Sequence, residues 1–397
     1  MTGSRAQRSR VKHLFLTLVV VASATLIASV ESIGQPGTAT NLDRVAPDLY
    51  DEVNAVAIDQ PVKVIVTYTG GKGASFIARD TGATLLKDFR GDSLAVFQLD
   101  PSARDQQLDD IISHANTRYV RPNRSLHSTA AATGMAAAEF ERGGHVRVTT
   151  GAEAVRDVKE LDGTGLGIAV IDSGIAEHPD FEDANGQSRI VYRQDFTDEP
   201  IVSGSHDPYG HGTHVAGLIA GNGSMSGGEP GGPHTGIAPG ATLVDLRVLR
   251  ADGTGDLASL IDALDWIRRN RNTNNIRVVS ISVGTVPHES HEEDPLCKSI
   301  RLLTNAAIPV IVAAGNAGKD QDGNKVYGGI LSPAICPSAI TVGAANTMQT
   351  DHRSDDIMTS YSSRGPTRSY VEEDLDGDGT IGEDERVYDM LMKPDLV

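Results

Sequence analysis

The chain has 397 residues and a formal net charge of −18, with 39% hydrophobic and 22% charged residues. This composition is that of a globular protein, and the length favours one large domain accompanied by a smaller one. The acidic excess argues against nucleic acid as a partner, because phosphate binding requires clustered lysine and arginine.

The N-terminus carries basic residues followed by an apolar run from Leu14 to Val30 that ends in small residues. This pattern predicts a signal peptide over residues 1–30, with a cleavage site at Ala28-Ser29-Val30. The alternative is an uncleaved membrane anchor, since the run approaches the minimum length for spanning a bilayer. A signal peptide predicts a secreted, extracellular protein that meets a membrane only transiently, during export.

Residues 31–58 are polar without sustained periodicity, and we interpret them as a leader or linker. The next segment, residues 59–128, alternates strand and helix patterns in the order βαββαβ, which is typical of a small α+β ferredoxin-like domain. Its strands are expected at residues 62–69, 83–89, 93–99 and 118–126. An Ala- and Gly-rich stretch then indicates a linker over residues 129–150.

From residue 151 to 397, short apolar strands alternate with helical segments, as in α/β proteins. The near-continuous hydrophobicity of these strands favours a parallel sheet covered on both faces, and hence a doubly wound α/β fold. Strands are expected at residues 167–171, 242–248, 278–283, 308–313 and 339–342. A covering helix is expected at Asp256–Arg269, whose leucines and isoleucines share one face.

Three segments carry candidate catalytic residues. Asp172 follows an apolar strand, at the rim where doubly wound sheets place their ligands, although an aspartate in a turn after a strand is common. His211 stands between glycines at a helix entrance, where it could exchange protons near neutral pH. Asn316 ends a buried strand, and its amide is a suitable oxyanion donor there.

His211 and His214 also form an HxxH pair, which suggests a metal-dependent hydrolase as an alternative. The pair lacks the neighbouring carboxylates of a zinc protease. We therefore expect His214 to be a packed structural residue.

The order of IDSG, GHGTH, SVG and AAGN along the chain resembles that in the subtilisin-like serine peptidase family, from about residue 151 to 397. This resemblance implies that Asp172 orients and stabilises the imidazole of His211. His211 would act as general base and then as general acid, while Asn316 would stabilise the oxyanion. Substrates would be proteins or peptides, and a monomer is expected.

The resemblance also implies which segments bind the substrate. Two edge segments would hold an extended peptide by backbone hydrogen bonds, and a third would line the specificity pocket. These segments are, in that order, Gly253-Thr254-Gly255, Ser282-Val283-Gly284 and Ala313-Ala314-Gly315.

In the family, the motif at Lys393–Val397 continues into the helix that carries the nucleophilic serine, and this helix does not occur in the 397 residues. Gly223–Ser226 imitates its letters but lacks the following proline, so we interpret it as a loop. The sequence is therefore expected to be part of a longer protease precursor and inactive as it stands. The alternative is a non-catalytic pseudoprotease that binds peptide and calcium.

The small N-terminal domain resembles the propeptide of the same family, by its position between signal peptide and catalytic domain. It would act as a folding chaperone and as a temporary intramolecular inhibitor, with its last residues lying across the cleft. Autocleavage is expected between Leu126 and Ala138.

The segment Asp374–Glu385 has the spacing of an EF-hand calcium loop, with a glycine at its sixth position. Its expected ligands to a structural calcium ion are Asp374, Asp376, Asp378, the Thr380 carbonyl and Glu385. The alternative is a solvated acidic loop. No cofactor is expected for the chemistry itself.

Two cysteines, Cys297 and Cys336, suit an exported protein that holds one disulfide bond. Two buried thiols are the alternative, because the sequence does not give the distance between their Cα atoms.

Overall fold

The computed structural model describes residues 44–129, 145–199, 205–227, 234–348, 350–372, 375 and 385–397. The predicted signal peptide and most of the predicted calcium loop lie outside these residues. No helix in the described part of the chain is long and apolar enough to span a membrane.

The helices are α1 (Leu49–Ala55), α2 (Gly73–Thr81), α3 (Arg104–Ser113), α4 (His145–Thr150), α5 (Ala152–Lys159), α6 (His211–Ala220), α7 (Leu257–Asn270) and α8 (Pro295–Asn305). The strands are β1 (Val62–Tyr68), β2 (Thr84–Phe89), β3 (Leu94–Leu99), β4 (Thr117–Pro122), β5 (Ser125–Ser128), β6 (Gly167–Asp172), β7 (Ile190–Asp195), β8 (Thr242–Arg247), β9 (Thr254–Asp256), β10 (Ile276–Ile281), β11 (Val283–Gly284), β12 (Val310–Ala313), β13 (Ile340–Val342), β14 (Ala345–Asn346), β15 (Ile357–Met358), β16 (Tyr370–Glu372) and β17 (Arg386–Tyr388).

The N-terminal module contains an antiparallel sheet in the order β2-β3-β1-β4. With α2 and α3 this gives the βαββαβ order expected from the sequence. Apolar residues of both helices, among them Ile77 and Ile111, share one buried cluster with Val64 and Phe97 of the sheet. The module therefore has a hydrophobic core of its own.

Part of the segment predicted as a linker belongs to this module. Leu49 and Val53 on α1 are buried in the core of the module. The buried Arg104 donates hydrogen bonds to carbonyls at and beyond the end of α1, namely those of Val53, Val56, Ala57 and Gln60. These contacts satisfy carbonyls that a helix end leaves without partners. A helix of seven residues is too short for its periodicity to be recognised in the sequence.

The large module contains a six-stranded parallel sheet in the order β13-β12-β10-β6-β8-β7. Side chains of β6 point alternately to two faces: Ala169 and Ile171 belong to the core cluster beneath α7 and α8, whereas Ile168 and Val170 pack with α6. Both faces are thus covered by helices, which confirms the predicted doubly wound α/β fold. The sequence did not predict β7.

Two predicted strands are each divided in the structure. The strand expected at residues 118–126 ends at Pro122, and β5 leaves the sheet of its own module to pair with β9 and β11 of the large one. Between them, Leu257 N donates to the Arg124 carbonyl at 3.0 Å and Ala258 N to Asn123 Oδ1 at 2.8 Å. These contacts at the start of α7 redirect the chain. The strand expected at residues 278–283 similarly divides into β10 and β11.

Cys297 of α8 and Cys336 form a disulfide bond, with their Cα atoms 5.1 Å apart and their positions separated by 39 in the sequence. The bond ties α8 to a segment next to the predicted specificity pocket. Asp294 connects the same two parts, because it caps α8 and accepts a 2.6 Å hydrogen bond from Ser332 Oγ.

Candidate active site

Asp172 and His211 meet at the carboxyl end of the parallel sheet. Asp172 is the last residue of β6, and His211 is the first residue of α6. The imidazole Nδ1 lies 2.7 Å from Oδ1 and 2.9 Å from Oδ2 of Asp172, which is buried. A carboxylate can only accept, so Nδ1 carries the proton and Nε2 is left with a free lone pair. This is the tautomer that a general base requires.

Glycine permits the close approach of α6 to the end of β6. A Cβ atom on Gly212 would lie 2.2 Å from the Gly174 carbonyl oxygen and 3.1 Å from the Asp172 Cβ. Any side chain at this position would force the helix away from the strand. The glycine next to His211 is therefore required for the contact between His211 and Asp172.

Asp207 holds the turn before α6, a role that the sequence did not predict. Its Oδ1 accepts from Ser173 Oγ at 2.7 Å, and its Oδ2 accepts from Thr213 N at 2.8 Å. Ser173 Oγ in turn accepts from Gly212 N at 2.9 Å. Ser173 and Asp207 thus fix the segments that carry Asp172 and His211. In the sequence, Asp207 stands four residues before His211, and this proximity is the feature that could have suggested its role in the turn.

Burial lowers the pKa of His211, but the hydrogen bond and charge of Asp172, together with the charge of Asp207, outweigh this effect. The pKa of His211 is therefore raised above its ordinary value. The environment stabilises the imidazolium, which is the form that a general base reaches after taking a proton.

His214 is exposed on α6, so the expectation that it is packed is wrong. The Nδ1 atom of His211 is already occupied by Asp172. Within the residues that the structure describes, no group of three or more His, Cys, Asp or Glu side chains could hold a metal ion. The geometry therefore gives no support to the HxxH alternative.

β5 lies in a cleft between β9 and β11, antiparallel to both. Its residues pair with the two edge segments, since His127 faces Thr254 on one side and Gly284 on the other. At the end of the strand, Ser128 N donates to the Gly253 carbonyl, and just after it Thr129 N donates to the Ser282 carbonyl, each at 3.0 Å. The structure thus brings both predicted edge segments into contact with one extended peptide.

The Thr129 carbonyl lies at the end of this extended segment and accepts a hydrogen bond from Asn316 Nδ2. A cavity of about 390 Å³ opens beside Thr129. It is lined by the predicted pocket residues Ala313, Ala314 and Gly315, and by residues that the sequence did not predict, including Val342, Gly343, Ala344 and Tyr361. Gly315 has a φ of +104°, in the region that favours glycine.

A buried ion-pair network joins the N-terminal module to the loop after β11. Arg124 Nη1 donates to Glu289 Oε1 at 2.7 Å, while its Nε and Nη2 donate to both oxygens of Asp48. The fully buried Arg121 donates to both oxygens of Glu289 at 3.1 Å. Burial raises the pKa of Glu289, but Arg121 and Arg124 outweigh this effect and lower it to about 2. This contact was not predicted from the sequence.

Of the predicted calcium ligands, only Glu385 lies within the described residues. Its Oε1 accepts from Leu375 N at 2.8 Å, and the residue is buried. The flanks of the acidic segment form an antiparallel hairpin, in which Glu372 of β16 faces Arg386 of β17. The two ends of the segment are thus held together by strands.

Comparison with known proteins places these observations in a family. Serine protease AprX of Bacillus subtilis (strain 168) is 37% identical over 220 residues, which cover 54% of this chain and 46% of AprX. Subtilisin BL of Lederbergia lenta is 31% identical over 186 residues, covering 47% of this chain and 58% of that protein. The chain thus spans about half the length of these curated relatives.

A solved structure, the epidermin leader peptide processing serine protease (EpiP) from Staphylococcus aureus, has a similar fold. The TM-score is 0.54 at 19% identity, over 79% of this chain and 74% of that one. The family described as the Subtilase family matches residues 163–377, more than half of the sequence. With this match and the doubly wound sheet, the chain belongs to the subtilase family.

Proposed function

We propose that the protein is the precursor of a secreted serine endopeptidase, in which Asp172 and His211 form a catalytic triad with a serine. The one observation that carries the proposal is the position of Thr129. Its carbonyl accepts from Asn316, and the segment before it pairs with both edges of the cleft. This is the arrangement expected of a peptide bound for attack on the bond between Thr129 and Ala130.

The proposed reaction uses the groups around that bond. The serine oxygen bonds to the Thr129 carbonyl carbon while Nε2 of His211 takes its proton, and Asn316 stabilises the oxyanion that forms. His211 then gives the proton to the leaving amine of Ala130 as the peptide bond breaks. Water, deprotonated by His211, hydrolyses the acyl-enzyme and restores the serine.

The serine of this proposal is the nucleophile that membership of the subtilase family implies, and we assign this role to none of the described residues. The curated relatives are about twice as long as the part of them that this chain matches. Within the described residues, no hydroxyl group donates a hydrogen bond to Nε2 of His211, whose side-chain hydrogen bonds go to Asp172. We infer that residues 1–397 alone do not hydrolyse peptide bonds.

Residues 44–129 would act as the intramolecular inhibitor of the precursor, and the predicted signal peptide would direct its export. The inhibitory role is supported by β5, which occupies the cleft between β9 and β11. The buried pairs of Arg121 and Arg124 with Glu289 anchor the same segment. A substrate cannot enter the cleft until this segment leaves.

We propose a structural calcium site in the acidic segment Asp374–Glu385, where carboxylates would supply the oxygen ligands that calcium prefers. Two observations support it. The β16–β17 hairpin holds the ends of the segment together, and the Glu385 carboxylate folds back onto Leu375 near its start. The ion would offset the mutual repulsion of the acidic side chains.

The proposal is tested by expressing the complete gene product and determining the N-terminus of the mature protein. We expect it to begin at Ala130, and we expect His211→Ala to leave the precursor unprocessed. His214→Ala, a change at the exposed histidine of the same helix, is the matched control and should be processed normally. Normal processing of the His211→Ala protein, or a first residue far from Ala130, would contradict the proposal.

A further inference from the structure

Glu289 is a buried carboxylate of the large module whose hydrogen-bond donors come from the other module. Glu289 is 2% exposed. Within the described residues, the hydrogen bonds that its carboxylate accepts come from Arg121 and Arg124. Removal of the N-terminal module therefore takes these donors away and uncovers the Glu289 carboxylate where Arg121 and Arg124 had contacted it.

Arg124 belongs to the same extended segment as Thr129, five residues before it. Backbone hydrogen bonds hold this segment at both ends. Leu257 N donates to the Arg124 carbonyl at 3.0 Å, and Thr129 N donates to the Ser282 carbonyl at 3.0 Å. Between these ends, β5 pairs with β9 and β11. A substrate that pairs with the same edges would place its own side chain beside Glu289.

We propose that Glu289 forms an acidic subsite that selects protein substrates with a basic residue five positions before the residue whose carbonyl is attacked. Arg124 occupies this subsite in the precursor, and the substrate's arginine or lysine replaces it in the mature enzyme. The inference rests on the proposed function, because it names the substrates of the same cleft.

The chemistry of the subsite favours a cation over a neutral side chain. A buried carboxylate without a donor is costly, whereas a charge-assisted hydrogen bond at 2.7 Å satisfies it. A planar guanidinium can bond to a carboxylate through more than one nitrogen, so arginine should be preferred to lysine. A neutral residue at this position would offer Glu289 no charge-assisted hydrogen bond.

The test uses the processed form of the complete gene product and peptides with the sequence of residues 122–134. One peptide has the natural sequence and a second carries Arg124→Gln. A third exchanges Arg124 and Ser125, so that composition and charge are kept while the arginine moves by one position. We expect kcat/KM for cleavage after Thr129 to be roughly tenfold or more higher for the natural peptide than for either variant.

Variants of the enzyme provide the second arm. Glu289→Gln should lower kcat/KM for the natural peptide to that of the Arg124→Gln peptide. Glu292→Gln removes an exposed carboxylate three residues away, and it should keep the preference. If Glu289→Gln prevents folding, the three peptides on the unchanged enzyme decide the question.

Equal cleavage of all three peptides after Thr129 would overturn the subsite while leaving the proposed function standing. Cleavage at another bond would also overturn it, because the register would be wrong. If none of the peptides were cleaved, the proposed function would itself be contradicted, and the subsite with it.

Discussion

The side-chain amide of Asn316 donates a hydrogen bond to the carbonyl oxygen of Thr129. These residues belong to different modules and are 187 positions apart in the sequence. The contact selects one carbonyl of the extended segment, because β9 and β11 hold that segment in a fixed register. The contact thereby connects Asn316 of the AAGN motif with the peptide bond that follows Thr129.

We expect Asn316→Ala in the complete enzyme to lower kcat by roughly 10²–10³-fold and to leave KM nearly unchanged. The lost hydrogen bond is strongest when negative charge develops on the carbonyl oxygen, so the transition state is affected more than the bound substrate. Steady-state kinetics on a peptide substrate measures this change. Asn324→Ala, in an exposed turn, is the control and should keep both constants. A loss confined to KM would contradict the assigned role.

The activity of the complete enzyme should fall as the pH is lowered through the pKa of His211. Only the neutral imidazole can accept the serine proton, so the active form is lost below that pKa. Asp172 and Asp207 raise the pKa, which places this limb of the profile at a higher pH than for an isolated histidine. The pH dependence of kcat/KM measures the position of the limb.

Asp172→Asn removes the negative charge beside His211, so we expect the acidic limb to move to lower pH. The rate on the plateau should fall by roughly 10⁴-fold, because the amide favours the wrong tautomer. Asp322→Asn removes one negative charge at an exposed position, and it should leave the pH profile of kcat/KM unchanged. If the acidic limb of the pH profile stays at the same pH in Asp172→Asn, a group other than His211 controls that limb.

The residues that could be predicted from the sequence lie next to buried strands. Asp172 and Asn316 each follow a run of apolar residues that can only form the interior of a sheet, and the carboxyl ends of parallel strands meet at one edge. The structure accordingly places them on the same cleft. The apolar runs alone were sufficient to place these residues at the sheet edge, whereas their expected catalytic roles came from the resemblance to the family.

Contacts between the modules could not be predicted in this way. Arg124 and Glu289 are 165 residues apart, and neither stands in a motif. Their pairing depends on how the two modules pack against each other, which no local pattern encodes. The same holds for β5. Its partners belong to the other module, so the sequence alone predicted its first residues as the end of the preceding strand.

Acid should release the cleaved N-terminal module from the mature enzyme. In the complex, Arg121 and Arg124 lower the pKa of Glu289 to about 2, against an ordinary value of 4.5. A lowered pKa in the bound state means that association is strongest above 4.5 and weakens as the pH falls from 4.5 towards 2. The other charged or titratable groups that interact with Glu289 are Tyr119, Asp294 and Lys298.

Size-exclusion chromatography of the processed complex, at pH values above 4.5 and then stepwise from 4.5 towards 2, would measure this release. Glu289→Gln should weaken association at neutral pH and flatten its pH dependence. Glu292→Gln is the control and should dissociate like the unchanged complex. A pH dependence that persists in Glu289→Gln would assign the acid-sensitive contact to another group.

Calcium should bind the intact protein and stabilise it through the segment between β16 and β17. The hairpin fixes the two ends of this segment, and Glu385 contacts Leu375 near its start. Calorimetric titration should therefore show calcium binding that Asp376→Ala combined with Glu385→Gln abolishes. Calcium at about 100 times its Kd should add about 2.7 kcal/mol to the free energy of unfolding.

The control is a second double variant, Asp322→Ala combined with Glu292→Gln. It changes the net charge by the same amount outside the acidic segment and should leave calcium binding intact. Equal titrations for the two double variants would contradict the site, because calcium would then respond to net charge rather than to these ligands.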